Sequence, residues 1–184
     1  RTESESIHEE HVKNPVSPYG MHKKIAEELI EYYTSRHSIK ALIIRLFSVY
    51  GEGLKKQLLW DACNKLDRDD TTFSGSGDEI RDWIHISDVT ELFFQSIRHV
   101  TSELTIVNGG CGTGVTNREL LQYLFECAGH EGSPGYSMIN RPGDPGYYVA
   151  DNTRIKDWGW LPSVSWGKGI ENYVMWYQNV GKVD

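Results

Sequence analysis

Tyr19 and Lys23 stand four residues apart in the stretch SPYGMHKK. On a helix this spacing puts both side chains on one face. An ammonium held beside a phenol favours the phenolate, so the tyrosine becomes a usable acid and base near neutral pH. The same spacing also recurs by chance, and an exposed helix turn would carry it equally well. Other residues read as structural. Asp82, in a tight RDW turn, is suited to accept backbone N–H bonds, and Asp88 falls near a helix amino end, where a carboxylate is favoured. Gly109, Gly110, Gly112 and Gly114 do not follow G-x-G-x-x-G, and they read as a strand-to-helix turn rather than a dinucleotide loop. His8, His11 and His22 read as solvated. Neither they nor Cys63, Cys111 and Cys127 show ligand spacing, so no metal site is expected. The three cysteines read as reduced thiols of a cytoplasmic protein.

The elements that must position Tyr19 and Lys23 can be read from periodicity. Residues 1–14 read as an exposed loop, followed by the two-proline hinge NPVSP. Ile25, Ala26, Leu29, Ile30 and Tyr33 then recur at offsets of three and four, which predicts a helix of about five turns. KALIIRLFSVYG predicts one strand buried on both faces, as in a parallel sheet. A second helix is expected over 54–67, a short strand over 71–73, and an extended segment over 82–86. Ser87 is expected to cap a helix that runs to about residue 99. A strand over 104–107 enters the glycine turn. Thr116 and Glu119 form a Thr-x-x-Glu capping box for the next helix, to Cys127. A loop-rich stretch over 129–150 and two short helices complete the chain, with Trp158, Trp160 and Trp166 as core of the carboxyl-terminal lobe. Helix followed by buried strand is the rhythm of an α/β sheet.

Composition bounds the function. The 184 residues hold 39% apolar and 11% aromatic side chains, enough to bury a core. Nineteen Lys and Arg against 26 Asp and Glu give a net charge of -7. That balance argues against nucleic acid or an anionic membrane surface as the main partner, because both call for a basic excess. No apolar run approaches the roughly 20 residues of a membrane span.

The segment SPYGMHKKIAEELIEYYTSRHSIKALIIRLFSVYGEG resembles the middle of the extended short-chain dehydrogenase/reductase family, the NAD-dependent sugar-nucleotide epimerases and dehydratases. Further matching stretches follow in order: GSGDEIRDWIHISDV, VNGGCGTGVTNRELL and NRPGDPGYYVADNTRIKDWGWLPSVSWGKGI. The resemblance implies an α/β fold: the carboxyl-terminal part of a Rossmann-type doubly wound parallel sheet plus a smaller α/β substrate-binding lobe. Residues 1–52 would carry the Tyr/Lys helix of the NAD-binding domain. Residues 53–184 would be mainly the lobe, with 80–108 returning to the sheet. The family's amino-terminal glycine-rich cofactor loop does not appear in the sequence, so these residues alone are expected to bind NAD weakly and to turn over little.

By the same resemblance, Tyr19 would be the catalytic acid/base, and Lys23 would tune it and bind the nicotinamide ribose. Phe47 would lie at the nicotinamide end of NAD. Ser48, where the family usually has Asn, would face the substrate together with Gln57 and Tyr148. Arg81 and Arg141 would grip the diphosphate of a nucleotide-diphosphate sugar, a UDP-sugar first. For Arg81 the alternative is a salt bridge to Asp78, Glu79 or Asp82; for Arg141 it is a surface loop. A 4-epimerase leads, with a 4,6-dehydratase as alternative and a non-catalytic nucleotide-sugar-binding or dimerising module as the rival of another class. The family's homodimers pack the Tyr/Lys helix into a bundle, for which Ile25, Leu29 and Tyr33 offer an apolar stripe.

Overall fold

The computed structural model describes residues 5–139 and 143–181. Ser17 caps the first helix, α1 (Pro18–His37), its Oγ accepting the Gly20 N–H at 3.1 Å, with proline at the opening where a missing N–H is no loss. There follow β1 (Leu42–Leu46), β2 (Ser48–Tyr50), α2 (Gln57–Leu66), β3 (Thr72–Phe73) and β4 (Ile80–His85). Next come α3 (Ile86–Ser96), extended by a 3-10 turn Ile97–His99, then β5 (Thr105–Gly109), β6 (Gly114–Thr116) and α4 (Asn117–Ala128). The chain closes with β7 (Gly135–Tyr136), β8 (Tyr147–Tyr148), α5 (Thr153–Asp157) and α6 (Trp166–Trp176), which runs into a π-helical turn Tyr177–Gly181.

The architecture is α/β with mainly parallel pairing. β1 pairs with β5 in parallel, from Leu42↔Thr105 to Leu46↔Gly109. β2 lies parallel to β4, which also takes β6 antiparallel and β8 parallel; β3 pairs with β7. The single strand expected over KALIIRLFSVYG is therefore two strands. Phe47 divides them, its N–H donating to Gly109 O at 3.1 Å while the Val49 N–H donates back to Phe47 O. The chain thus leaves β5 and joins β4, and the site sits at that transfer. Nor is β1 fully buried: all five of its residues are half-buried, and β5 is its only strand partner among the described residues.

Two apolar clusters form. The larger gathers Leu59, Leu120, Leu124, Phe125, Ile170 and Tyr173 between α2, α4 and α6. The smaller holds Ile84, Leu92, Val107, Ile155 and Trp160 around β4, β5 and α3. Trp160, with Trp158 packed beside it, belongs to this sheet cluster rather than to the carboxyl-terminal lobe as expected; Trp166 packs on the larger cluster. The α4 capping box is present in full.

Two further expectations change. His85, not Ser87, caps α3: its Nδ1 accepts the Ser87 N–H at 3.3 Å. The segment before α1 is not simply an exposed loop. Ile7 bridges to Ala150, with its N–H on Val149 O at 2.8 Å. Glu9 is only 8% exposed and accepts the Asn108 N–H at 2.7 Å. Polar sequence hid a segment that docks through its backbone and one buried carboxylate. No helix among the described residues is long and apolar enough to cross a membrane, and no cluster of candidate metal ligands occurs among them.

Candidate active site

A cavity of about 1280 Å³ opens where β1 gives way to β2, with the amino ends of α1 and α2 and the arginine of β4 around it. Tyr19, Phe47, Ser48, Gln57 and Arg81 all line it. These residues come from separate elements, and the topology gathers them. Ser48 stands in register with Trp83 across the β2–β4 pair, and Trp83 also lines the wall.

Tyr19 is 71% exposed on the second residue of α1. Lys23 carries its ammonium over the Tyr19 ring, 5.4 Å from the centroid. No hydrogen bond engages the Tyr19 hydroxyl or the Lys23 ammonium among the described residues, so both are available to a bound molecule. That pairing of a phenol with an ammonium suits the hydroxyls of a nicotinamide ribose and of a sugar, and NAD fits here on that ground.

Phe47 is buried beneath the cavity, and Tyr148 stacks on it with ring centroids 4.4 Å apart. The wall residue of β8 is Tyr147; Tyr148 serves as backing. Burial pushes the Tyr148 phenol up from its usual range, neighbouring Tyr19 and Asp82 add to the effect, and Arg81 and Arg45 oppose it. Gln57 opens α2 with φ of 67°, a left-handed backbone uncommon outside glycine. Backbone strain of this kind is stored where surrounding structure over-determines it, often at ligand sites.

Among the described residues, Arg81 is the arginine of the wall. Its Nη1 donates to Ile80 O at 2.9 Å and its Nη2 to Asp144 Oδ1 at 2.6 Å. The expected alternatives Asp78, Glu79 and Asp82 are not its partners. Asp78 pairs with Arg118, while Glu79 accepts the Ser76 and Gly77 N–H groups. Asp82 is fully buried and accepts three backbone N–H groups, from Cys111, Gly112 and Ala150, as its turn position suggested. Arg141 lies outside the described residues.

Sequence reasoning missed Asp144 and Trp83. Asp144 sat in plain sight in the PGDPG turn, but only the fold shows that this turn meets β4. Trp83 read as part of a structural turn; its indole N–H is buried without a partner among the described residues, and an unpaired buried donor is uncommon. Cys111 is inert by contrast: burial pushes its thiol up to about 12.

A parallel α/β sheet that hands a Tyr/Lys helix and an arginine to one cavity defines a Rossmann-type protein of the short-chain dehydrogenase/reductase class. More narrowly, the chain belongs to the NAD dependent epimerase/dehydratase family, whose family model matches residues 1–110. It is 28% identical to a UDP-glucose 4-epimerase of Azospirillum brasilense, covering 94% of this chain and 58% of that protein. It is 29% identical to a dTDP-glucose 4,6-dehydratase of Actinoplanes, covering 92% of this chain and 54% of that one. The crystal structure of a Thermotoga maritima UDP-glucose 4-epimerase with UDP-glucose superposes with a TM-score of 0.84 at 25% identity, covering 94% of this chain and 57% of that chain. The chain thus spans a little over half the length of these relatives.

Proposed function

We propose that the chain carries the acid/base and substrate wall of an NAD-dependent sugar-nucleotide 4-epimerase acting on a UDP-sugar. The observation that carries this reading is the convergence of Tyr19, Ser48 and Arg81 on one cavity. Tyr19 holds and returns the proton of the sugar C4 hydroxyl. Lys23 supplies the positive charge beside the phenol and a donor for the nicotinamide ribose. NAD, when bound, supplies a reversible hydride acceptor, with Phe47 at its nicotinamide end.

Arg81 takes the diphosphate, because a guanidinium fork pairs with phosphate oxygens bidentately. Asp144 holds that guanidinium at 2.6 Å, so the incoming diphosphate displaces a carboxylate of the same sign and smaller charge. Arg141 is proposed as the second diphosphate arginine on the sequence resemblance alone. Ser48 and Gln57 face the sugar and the diphosphate. Ser48 is shorter than the family's usual asparagine and so leaves more room for the sugar beside β4, with which it stands in register at Trp83. On α1, Ile25 (44% exposed), Leu29 (53%) and Tyr33 (50%) offer the stripe for a homodimer.

The test is Tyr19→Phe in the complete gene product, assayed with UDP-glucose and NAD. Turnover should vanish while UDP-glucose affinity stays within about threefold, because the phenyl ring and Arg81 remain. Retained turnover would remove Tyr19 from the mechanism. The likeness to a dTDP-glucose 4,6-dehydratase keeps that activity as the second reading. A 4-keto-6-deoxy product in place of the epimer would favour it, and binding without conversion of any nucleotide sugar would favour the non-catalytic module.

A further inference from the structure

Among the described residues, helix α1 is held to the remainder of this chain by charge rather than by an apolar face. None of its 20 residues is buried among the described residues. Gly20, Lys24, Glu27 and Thr34 are half-buried and the others are exposed. Near its start Gly20 lies against Pro15. Midway along, two turns beyond Tyr19, stands Glu27.

Glu27 receives the full fork of Arg45. Arg45 Nε donates to Oε1 at 2.9 Å and Nη2 to Oε2 at 2.8 Å. Lys13 Nζ adds a third bond to Oε2 at 2.9 Å. Arg45 is the fourth of the five residues of β1 and stands in register with Asn108 of β5. Its remaining Nη1 donates to Glu9 O at 2.7 Å, and the Glu9 carboxylate in turn accepts the Asn108 N–H at 2.7 Å. One guanidinium therefore joins α1, β1 and the docked segment before α1. The Arg45 fork, with Lys13 assisting and burial opposing, holds the Glu27 carboxyl below its usual range. Glu27 is thus ionised throughout the neutral range.

We propose that Glu27 and Arg45 are positioning residues, a strut that sets the rotation of α1 about its axis and so aims Tyr19 into the cavity. The proposal rests on the reading of Tyr19 as the acid/base. A phenol oxygen lies roughly 9 Å from its helix axis, so a turn of about 10° moves it by about 1.5 Å. Displacements near 1 Å cost about 100-fold in rate. A bidentate fork is the contact suited to hold such an angle, because its planarity fixes direction as well as distance. Tyr19 and Lys23 ride on the same helix, so loosening the strut moves both together and leaves the phenol–ammonium relation intact.

The experiment compares Glu27→Ala, Arg45→Lys and Tyr19→Phe in the complete gene product, assayed with UDP-glucose and NAD. For Glu27→Ala the expected kcat falls about 100-fold, KM for UDP-glucose stays within about twofold, and the pH midpoints of kcat do not move. Arg45→Lys keeps the charge without the fork and is expected to recover about tenfold of that loss. Amide hydrogen exchange, measured without substrate, should speed up in α1 and stay unchanged in α4 and α6. A kcat within twofold of wild type for Glu27→Ala, α1 exchange that does not change, or shifted pH midpoints would each overturn the strut. A Tyr19→Phe protein that still turns over would overturn the acid/base reading instead, and α1 exchange then judges the strut by itself. Should Glu27→Ala fail to fold, Arg45→Lys carries the same measurements.

Discussion

Removing the Asp82 carboxylate should loosen the junction beneath the cavity more than any surface change. Asp82 is fully buried on β4. Oδ1 accepts the Cys111 N–H at 2.8 Å; Oδ2 accepts Gly112 at 2.9 Å and Ala150 at 3.1 Å. One side chain thereby ties β4 to the β5–β6 turn and to the end of β8, on which Tyr148 stands. Each N–H orphaned by Asp82→Ala costs about 1–3 kcal/mol. Three orphans would give about 3–9 kcal/mol, and water entering the vacated space satisfies part of that. Relief from burying a charge also counts in the opposite direction. The expected net loss is about 3–5 kcal/mol, a large share of the roughly 5–15 kcal/mol that holds a typical domain folded. Asp82→Asn keeps the shape and one acceptor oxygen. With that oxygen serving Gly112 and Ala150, its NH₂ faces the Cys111 N–H, for a loss of about 1–3 kcal/mol.

Urea unfolding reads both. With a slope of about 2 kcal/mol/M the midpoint should fall by about 1.5–2.5 M for alanine and about 0.5–1.5 M for asparagine, the slope itself unchanged. A midpoint for Asp82→Ala within about 0.3 M of wild type would refute the reasoning, and so would an asparagine variant less stable than the alanine one.

Two further outcomes concern the core and the charges. Gly169 of α6 has no room for a Cβ against the Tyr50 hydroxyl. Gly169→Ala should therefore cost about 1–3 kcal/mol by overpacking, and less in a Tyr50→Phe background, because the two changes couple. Equal losses in both backgrounds in urea melts would show that the clash is not the cause. As for pH, Glu27 is held below its usual range first by Arg45, and Glu119 first by the Thr116 hydroxyl. A lowered carboxyl contributes stability that is present above the unfolded pKa of about 4.3 and is lost as pH falls through the folded value. The urea midpoint should thus drop between pH 5 and pH 3, less steeply in Glu27→Gln; a flat profile over that range would contradict the assignment.

Much of the fold was legible because local signals and tertiary structure agree. The two-proline hinge leads into α1 with Pro18 at its first residue, and Thr116 with Glu119 opens α4, as first-turn and capping chemistry require; the Ser17 cap was not read from the sequence. These are short-range effects, and sequence carries them in full. The Tyr19/Lys23 pair was legible in the same way, since helix geometry alone sets a four-residue spacing, and the ordered motifs sufficed to place the chain in its family.

What sequence could not settle depends on which distant segments meet. Nothing in KALIIRLFSVYG says that Phe47 hands the chain from β5 to β4, because hydrophobicity does not record a change of neighbour. The partner of Arg81 proved to be Asp144, 63 residues away rather than a near neighbour, because β8 runs beside β4. Arg45 passed unnoticed in a segment read as an apolar run, although a charge placed in a strand requires a partner. Only the packing of α1 across β1 supplied Glu27 as that partner, and only the docked segment before α1 supplied Glu9. Local energetics fixes where helices begin, whereas pairing between remote charges and strands is decided when the whole chain is folded together.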